Sequence, residues 1–321
     1  MTFTFDDITE ASSKLQGKAI ITPLIESSLL NEIAGARVFV KAETLQKSGS
    51  FKFRGATNRM LYLSPEERQR GVVAFSSGNH ALAVSLAALE LDTHAVVLMP
   101  NDAPRVKIEG ARGNGAEVVL YDRSKVDREA ICAQLCSDRG LTLIPPYDDY
   151  HVMAGAGTSA LEAFRQLPPD SEVDAIFVNC SGGGLTAGWA TVANHLLPTA
   201  SVFAVEPEAF DDTCRSLRKG NRVANAEFSG SICDALLVRS PGELTFEVLK
   251  ERGVVGVGVS DAQILNAMQF AFRTLKLVVE PSGAAALAAV LNKKAVTAKG
   301  SDILLIVSGG NVDPMVFAQC L

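Results

Sequence analysis

The sequence Phe51-Lys52-Phe53 holds the group best placed for covalent chemistry in this chain. A lysine amine is a nucleophile, or the nitrogen of an imine, at neutral pH only where it is partly desolvated. The surrounding segment KSGSFKFRGA, 47–56, suits that use. Small residues ahead of the lysine (Ser48-Gly49-Ser50) let another molecule approach the backbone, and the flanking rings exclude water. Taken alone, the segment also reads as an amphipathic turn whose lysine snorkels to solvent.

Three further stretches could carry chemistry, and each needs a strand to position it. NCSGGGLTAG, Asn179 to Gly188, follows the apolar, β-branched run Val173–Val178 and precedes a helix-forming stretch, Ala187–Ala193. Strand, glycine loop and helix in that order present several backbone N–H groups beside a helix N-terminus, which favours a phosphate. The spacing is neither GxGxxG nor one followed by GK[ST], so a nucleotide is not the first expectation. IVSGGNVD, 306–313, ends the strand run Ile303–Val307 and puts Ser308 at a strand's carboxyl end, where open α/β sheets bind ligands. Ser76-Ser77-Gly78-Asn79-His80 follows the run Val72–Phe75 and opens an alanine-rich helix over 81–91. Amides and hydroxyls at such a start suit a carboxylate, although Ser76 reads equally as an N-cap.

With their order and spacing, these four stretches resemble the pyridoxal 5'-phosphate (PLP) enzymes of the tryptophan-synthase-β fold type, in the serine/threonine dehydratase and serine racemase branch. The likeness runs from TFDDITEASSKL through Thr22-Pro23-Leu24 to the SGGN loop, nearly the whole chain. It implies an α/β fold of two open twisted domains, a large one from 1–70 and 149–321 and a small one from 71–148, with PLP in the cleft between them. It implies that Lys52 forms the internal aldimine and is the base on one face. Phe51 would pack on the pyridine ring, Asn79 would bond its phenolic oxygen and Ser308 would meet its nitrogen. The backbone of Ser181, Gly182, Gly183, Gly184 and Leu185 would cradle the phosphate. Ser76, Gly78, Asn79 and His80 would hold the substrate carboxylate.

A serine hydroxyl at the pyridine nitrogen, unlike an aspartate, does not stabilise a fully protonated ring, so the electron sink is weaker. Loss of a β-hydroxyl then discharges the developing carbanion, and elimination is favoured over transamination. The expected activity is a dehydratase (ammonia-lyase) that turns a β-hydroxy α-amino acid of the L-threonine/L-serine type into a 2-oxo acid and ammonia. Serine racemase and 3-hydroxyaspartate dehydratase are the alternatives. Ser77 stands where racemases carry serine; its hydroxyl is either a second acid/base on the opposite face or a helix-start hydroxyl bonded to backbone. Glu206, the carbonyl of Phe210 and Asp212 match the divalent-cation site of racemase-like members, a hard oxygen set for Mg²⁺ or Ca²⁺. The other reading of that loop is a solvated acidic turn.

Departures from the family pattern carry expectations too. Asn114 and Leu82 replace a tyrosine and a glutamine of the racemase nucleotide pocket, so nucleotide activation is not expected. Phe75, Leu82, Tyr150 and Ala156, if they border the substrate, would make the pocket more apolar and admit β-hydroxy acids as large as phenylserine. A 3-hydroxyaspartate would instead need a cation near its β-substituent, for which Arg128 is the candidate.

The 321 residues suffice for two cores, and seven strand-like runs (Val38–Val40, Val72–Phe75, Ala95–Met99, Glu117–Tyr121, Ala175–Val178, Val202–Val205 and Ile303–Val307) alternate with alanine-rich helical stretches, as in layered α/β proteins. A formal charge of −6 argues against nucleic acid as a partner. The apolar runs are too short or too interrupted for a membrane span, and MTFTFDDITEASS lacks the regions of a signal peptide, so a cytoplasmic enzyme is expected. Six scattered cysteines, Cys132 and Cys136 among them, show no metal or disulfide pattern. The expected partner is a small amino-acid substrate, and a homodimer is implied by the resemblance. A regulatory domain, and with it isoleucine feedback, is not expected. A non-catalytic binding protein of this fold would have no need for Lys52 together with Ser308.

Overall fold

The apolar runs become ten strands in two sheets among the residues that the computed structural model describes: 2–76, 78–122, 125, 128–227, 229–295 and 302–321. In chain order the strands are β1 (Leu24–Glu26), β2 (Val38–Ala42), β3 (Val72–Phe75), β4 (Ala95–Pro100), β5 (Glu117–Tyr121), β6 (Thr142–Leu143), β7 (Val173–Asn179), β8 (Ser201–Pro207), β9 (Val255–Val259) and β10 (Asp302–Val307). One sheet has the order β1-β2-β10-β7-β8-β9 and the other β5-β4-β3-β6. Every pairing is parallel except β1 with β2. β10 is buried along its whole length, as expected of a parallel strand covered by helices on both faces.

Small residues set the closest helix contacts. Helix Pro281–Leu291 (PSGAAALAAVL) is buried from Pro281 to Val290 and packs against β7 and β10. In Ala154-Gly155-Ala156-Gly157, the glycines let helix Tyr150–Gln166 press against its neighbours. A Cβ on Gly155 would lie 2.6 Å from the carbonyl of Arg54, and one on Gly157 would lie 3.1 Å from the Cα of Gly188. Ala156 is therefore a packing residue of the helix layer.

The helix that begins at Lys52 (Lys52–Met60) is braced from behind by a buried ionic network. The Arg54 guanidinium donates to Glu43 at 2.8 Å and to Glu162 at 2.7 Å. Lys41 Nζ also donates to Glu162, at 3.0 Å, and to the carbonyl of Thr22 at 2.7 Å. Arg54 holds the buried Glu43 carboxyl below its ordinary value although burial opposes it. A network satisfied on so many sides is rigid.

All seven expected strands form, each within two residues of its expected ends. β1, β6 and β9 do not stand out in the sequence: β1 and β6 have three and two residues, and β9 (VGVGV) alternates valine with glycine. The helix expected over 81–91 spans Asn79–Glu90, and the one expected over 187–193 spans Gly184–Leu196. The six cysteines are free. No helix among the described residues is long and apolar enough to cross a membrane.

Candidate active site

The carboxyl ends of β3, β7 and β10 open on one cleft, which brings together most of the residues singled out in the sequence. Its inner part is lined by Phe51, Lys52, Asn79, Ser181, Gly182, Gly183, Gly184, Leu185 and Ser308. Its outer part is lined by Lys52, Phe75, Ser76, Gly78, Asn79, His80 and Arg128. Ser77 lies outside the described residues.

Lys52 is half-buried at the start of its helix, with Nζ 5.2 Å from the centre of the Phe51 ring. Nζ donates to the carbonyl of Pro146 at 2.6 Å. Burial pulls its pKa down to about 8. A desolvated amine of this kind is a nucleophile near neutral pH.

The glycine loop follows β7 as expected, and it is an anion cradle. Gly183 caps helix Gly184–Leu196 with φ 94°, a left-handed conformation that glycine adopts freely, and no side chain caps that helix. Among the described residues, the N–H groups of Ser181–Leu185 donate to no protein acceptor. The loop is pinned from below by Thr245 Oγ1, which donates to the Gly182 carbonyl at 2.6 Å. Above it lies the Tyr147 ring, into which a Cβ on Gly182 would run.

Asn79 is held on both sides of its amide. Its Nδ2 donates to Glu280, and its Oδ1 accepts from Asn311 Nδ2 at 2.9 Å. Burial pushes the Glu280 carboxyl up, against the pull of the Lys107 ammonium. Lys107 Nζ lies 2.8 Å from Asp234 and 3.3 Å from Glu280. Among the described residues no side chain caps the start of helix Asn79–Glu90, which leaves its first N–H groups to an anion. His80 Nε2 lies 2.8 Å from the Ile144 carbonyl, which makes Nε2 the protonated nitrogen; Nδ1 is buried with no partner among the described residues. Burial and nearby Lys52 push the imidazole down to about 3, so it stays neutral.

Ser308 also sits in the cleft, with Oγ 2.9 Å from Asn179 Nδ2. These groups fit PLP: a free N–H cradle for a phosphate, a desolvated lysine for an aldehyde and a hydroxyl for a ring nitrogen.

Three of the four residues expected to make the pocket apolar turn away from it. Leu82 packs against Gly110 in the core beside the four-stranded sheet. Tyr150 stacks on Phe3 at 6.3 Å, and Ala156 is buried between helices. Only Phe75 borders the cleft, and the Arg128 guanidinium lies 4.9 Å from its ring centre. The expectation of an enlarged apolar pocket is thereby corrected, because helix packing had already claimed Leu82 and Ala156, and ring stacking Tyr150.

Glu206, near the end of β8, and Asp212, at the start of helix Asp212–Lys219, are buried together outside the cleft. Glu206 accepts from the N–H groups of Thr213 at 3.1 Å and Cys214 at 2.8 Å. Asp212 Oδ1 accepts from Asn225 Nδ2 at 2.7 Å, while Oδ2 is buried with no partner among the described residues. Burial and the Asp212 charge push Glu206 well up, and burial pushes Asp212 up to about 7. Phe210 is buried beside them. Among the described residues, no group of three or more His, Cys, Asp or Glu could hold a metal ion. The pair has a bare oxygen that a cation would meet, but only two carboxylates.

Pro146, Tyr147, Asn179 and Glu280 escaped the sequence reading. Asn179 stood in the quoted glycine-loop motif without a role. The others carry no local signal, since Tyr147 sits in an ordinary PPYDD turn and Glu280 precedes a helix-opening proline.

Comparison with known proteins bears on the same cleft. The family described as pyridoxal-phosphate dependent enzyme matches residues 16–309. The chain is 41% identical over 318 residues to a serine racemase of Schizosaccharomyces pombe, covering 99% of this chain and 97% of that protein. It is 40% identical to an L-threo-3-hydroxyaspartate ammonia-lyase of Saccharomyces cerevisiae, covering 99% and 96%. The structure of maize serine racemase superposes with a TM-score of 0.93 at 35% identity, covering 99% of this chain and 97% of that one.

Proposed function

The chain belongs to the pyridoxal-phosphate dependent enzymes, in the ammonia-lyase and racemase group, and on that footing we propose that it is an ammonia-lyase of β-hydroxy α-amino acids whose preferred substrate is a 3-hydroxyaspartate. The observation that carries the substrate is Arg128, which lines the same cleft as Lys52, Ser76, Gly78 and His80. Its guanidinium against the Phe75 ring is a planar, oriented fork, the geometry that takes a carboxylate through two hydrogen bonds. Serine and threonine offer that fork nothing. The similarity to a 3-hydroxyaspartate ammonia-lyase points the same way.

PLP, when bound, supplies an aldehyde for the amine and a ring that draws electron density from Cα. Lys52 is the residue that would link to it, Ser181–Leu185 would hold its phosphate, and Phe51, Asn79 and Ser308 would meet its ring. The N–H groups opening helix Asn79–Glu90, with Ser76 and Gly78, orient the substrate's α-carboxylate. Lys52 Nζ takes the Cα proton; with a pKa near 8 it is matched to that task. The same ammonium then holds a proton for the departing β-hydroxyl. Water leaves, and hydrolysis gives the 2-oxo acid and ammonia; from 3-hydroxyaspartate the product is oxaloacetate. His80, kept neutral, adds no charge beside the lysine.

The two sheets are, on this reading, the cores of the two domains, and the protein is a cytoplasmic homodimer. Glu206, the Phe210 carbonyl and Asp212 would hold Mg²⁺ or Ca²⁺ as a brace between β8 and helix Asp212–Lys219; the bare Asp212 Oδ2 supports this.

The deciding experiment is 2-oxo acid release by the holoenzyme from stereoisomers of 3-hydroxyaspartate, serine, threonine and phenylserine, with chiral analysis of residual serine. The expected result is the highest kcat/KM on a 3-hydroxyaspartate. Arg128→Met should lower that value by roughly 30- to 160-fold, about 2–3 kcal/mol for one lost charged contact, while serine turnover changes little. Equal loss on serine and 3-hydroxyaspartate would remove the role of Arg128. D-serine formed with little pyruvate would make the protein a racemase.

A further inference from the structure

We propose that Asn179 is a positioning residue that fixes the Ser308 hydroxyl as a hydrogen-bond donor into the cofactor cleft. The inference rests on the PLP reading of the cleft but not on the identity of the substrate.

Asn179 is the last residue of β7, buried immediately before the glycine loop. Its side chain reaches across to the end of β10 and to helix Pro281–Leu291. The orientation of its amide is decided at both ends. Oδ1 faces the N–H of Ala286 at 2.6 Å, which requires an acceptor. Nδ2 faces the carbonyls of Gly283 at 3.0 Å and Ile306 at 3.3 Å, which require a donor. Turning the amide over would set NH₂ against N–H and carbonyl against carbonyl, two repulsive contacts in a buried site. Nδ2 has two hydrogens to share among these carbonyls and Ser308 Oγ, 2.9 Å away, and since an amide nitrogen does not accept, Nδ2 is the donor in that contact too.

That choice decides what Ser308 can do. The backbone of Ser308 is already tied, its carbonyl accepting from Phe51 N at 3.0 Å and its N–H reaching toward Gly283 O at 3.4 Å. Only the hydroxyl torsion is left open. With one lone pair of Oγ engaged by Asn179, the hydroxyl hydrogen points elsewhere, and among the described residues it has no protein acceptor. The unclaimed direction is the cleft that Ser308 lines. A hydroxyl so held donates to an unprotonated ring nitrogen. An aspartate at 179 would reverse the arrangement: its carboxylate would take the Ser308 hydrogen, Oγ would face the ring with a lone pair, and the ring nitrogen would acquire a proton from solvent. Asn179 thus sets, from one atom further out, the strength of the electron sink.

The test reads the cofactor rather than turnover. Holoenzyme is reconstituted with PLP labelled with ¹⁵N in the ring, and the ring-nitrogen resonance is recorded without substrate for the native protein, Asn179→Asp, Asn179→Ala and Ser308→Ala. Thermal melts check that each variant is folded. The expected native resonance is that of an unprotonated, hydrogen-bonded pyridine, and Asn179→Asp moves it toward the protonated position. Asn179→Ala moves it toward the Ser308→Ala value, and adding Asn179→Ala to Ser308→Ala changes nothing more. If Asn179→Asp does not fold, the alanine pair alone decides. A native-like resonance in folded Asn179→Ala, or additive effects of the two alanine changes, would overturn the proposal. Native protein that takes up no PLP would instead strike at the reading of the cleft itself.

Discussion

Replacing Lys52 with methionine should stabilise the cofactor-free protein at pH 7, although it destroys the residue on which the chemistry depends. In the folded chain the ammonium pKa falls from 10.5 to about 8, and burial is the cause. At about 1.36 kcal/mol for each tenfold change, the charged form is about 3.4 kcal/mol less favourable in the cleft than in the unfolded chain. Methionine keeps the length and apolar stem but loses the hydrogen bond to Pro146 O, which gives back about 1 kcal/mol. The net gain at pH 7 is about 2 kcal/mol. Because the folded pKa lies below the unfolded one, this destabilisation is fully present below pH 8 and disappears as pH rises from 8 to 10.5. The variant's advantage should therefore shrink over that interval and reverse near its upper end. Urea unfolding of both cofactor-free proteins at pH 7 and pH 10 measures it, and taking the difference cancels the titration of other groups. A methionine variant less stable at pH 7, or a difference indifferent to pH, would refute the argument. The same pKa implies that, at pH 7, the neutral amine is about 300 times more abundant than on an ordinary lysine. Amine labelling of the cofactor-free protein at pH 7 should find Lys52 faster than an exposed lysine, by less than that factor because a less basic, buried amine is a weaker and less accessible nucleophile.

Other changes have separate signatures. Gly182→Ala drives a Cβ into the Tyr147 ring and should cost about 1–3 kcal/mol in a thermal or urea melt, together with weaker PLP uptake. Arg54→Met leaves Glu43 buried without its cation and should cost about 3–5 kcal/mol in urea unfolding, far more than a surface arginine would. Glu43 is held below its ordinary pKa of 4.5, so its contribution is present above that pH and lost as pH falls below it; acid melts of the Arg54→Met protein should lack that step. Addition of Mg²⁺ or Ca²⁺ to chelator-treated holoprotein should raise Tm, and Asp212→Asn should abolish the rise; no rise in the native protein would leave Glu206 and Asp212 without a cation.

The sequence by itself determined the parts whose meaning is local. β2, β3, β4, β7, β8 and β10 were legible as apolar runs because strands covered on both faces tolerate little else, and β5, a partly exposed edge strand, was legible from its valines and aromatic end. The serine–glycine stretches were legible because a loop that offers its N–H groups to an anion must lack side chains there. Lys52 was legible from its neighbours, since Phe51 and the glycine loop do border its cleft. What the tertiary structure decided was direction. Leu82 and Ala156 point into helix contacts and Tyr150 onto the Phe3 ring, because the facing of a side chain depends on which surfaces pack and not on chain position. Arg128, far along the chain from Lys52, was brought to the cleft and laid against Phe75 only by the folding of the four-stranded sheet. The amide of Asn179 has two orientations in any sequence. Only an N–H from one helix and carbonyls from two separate segments, assembled around it, leave it one.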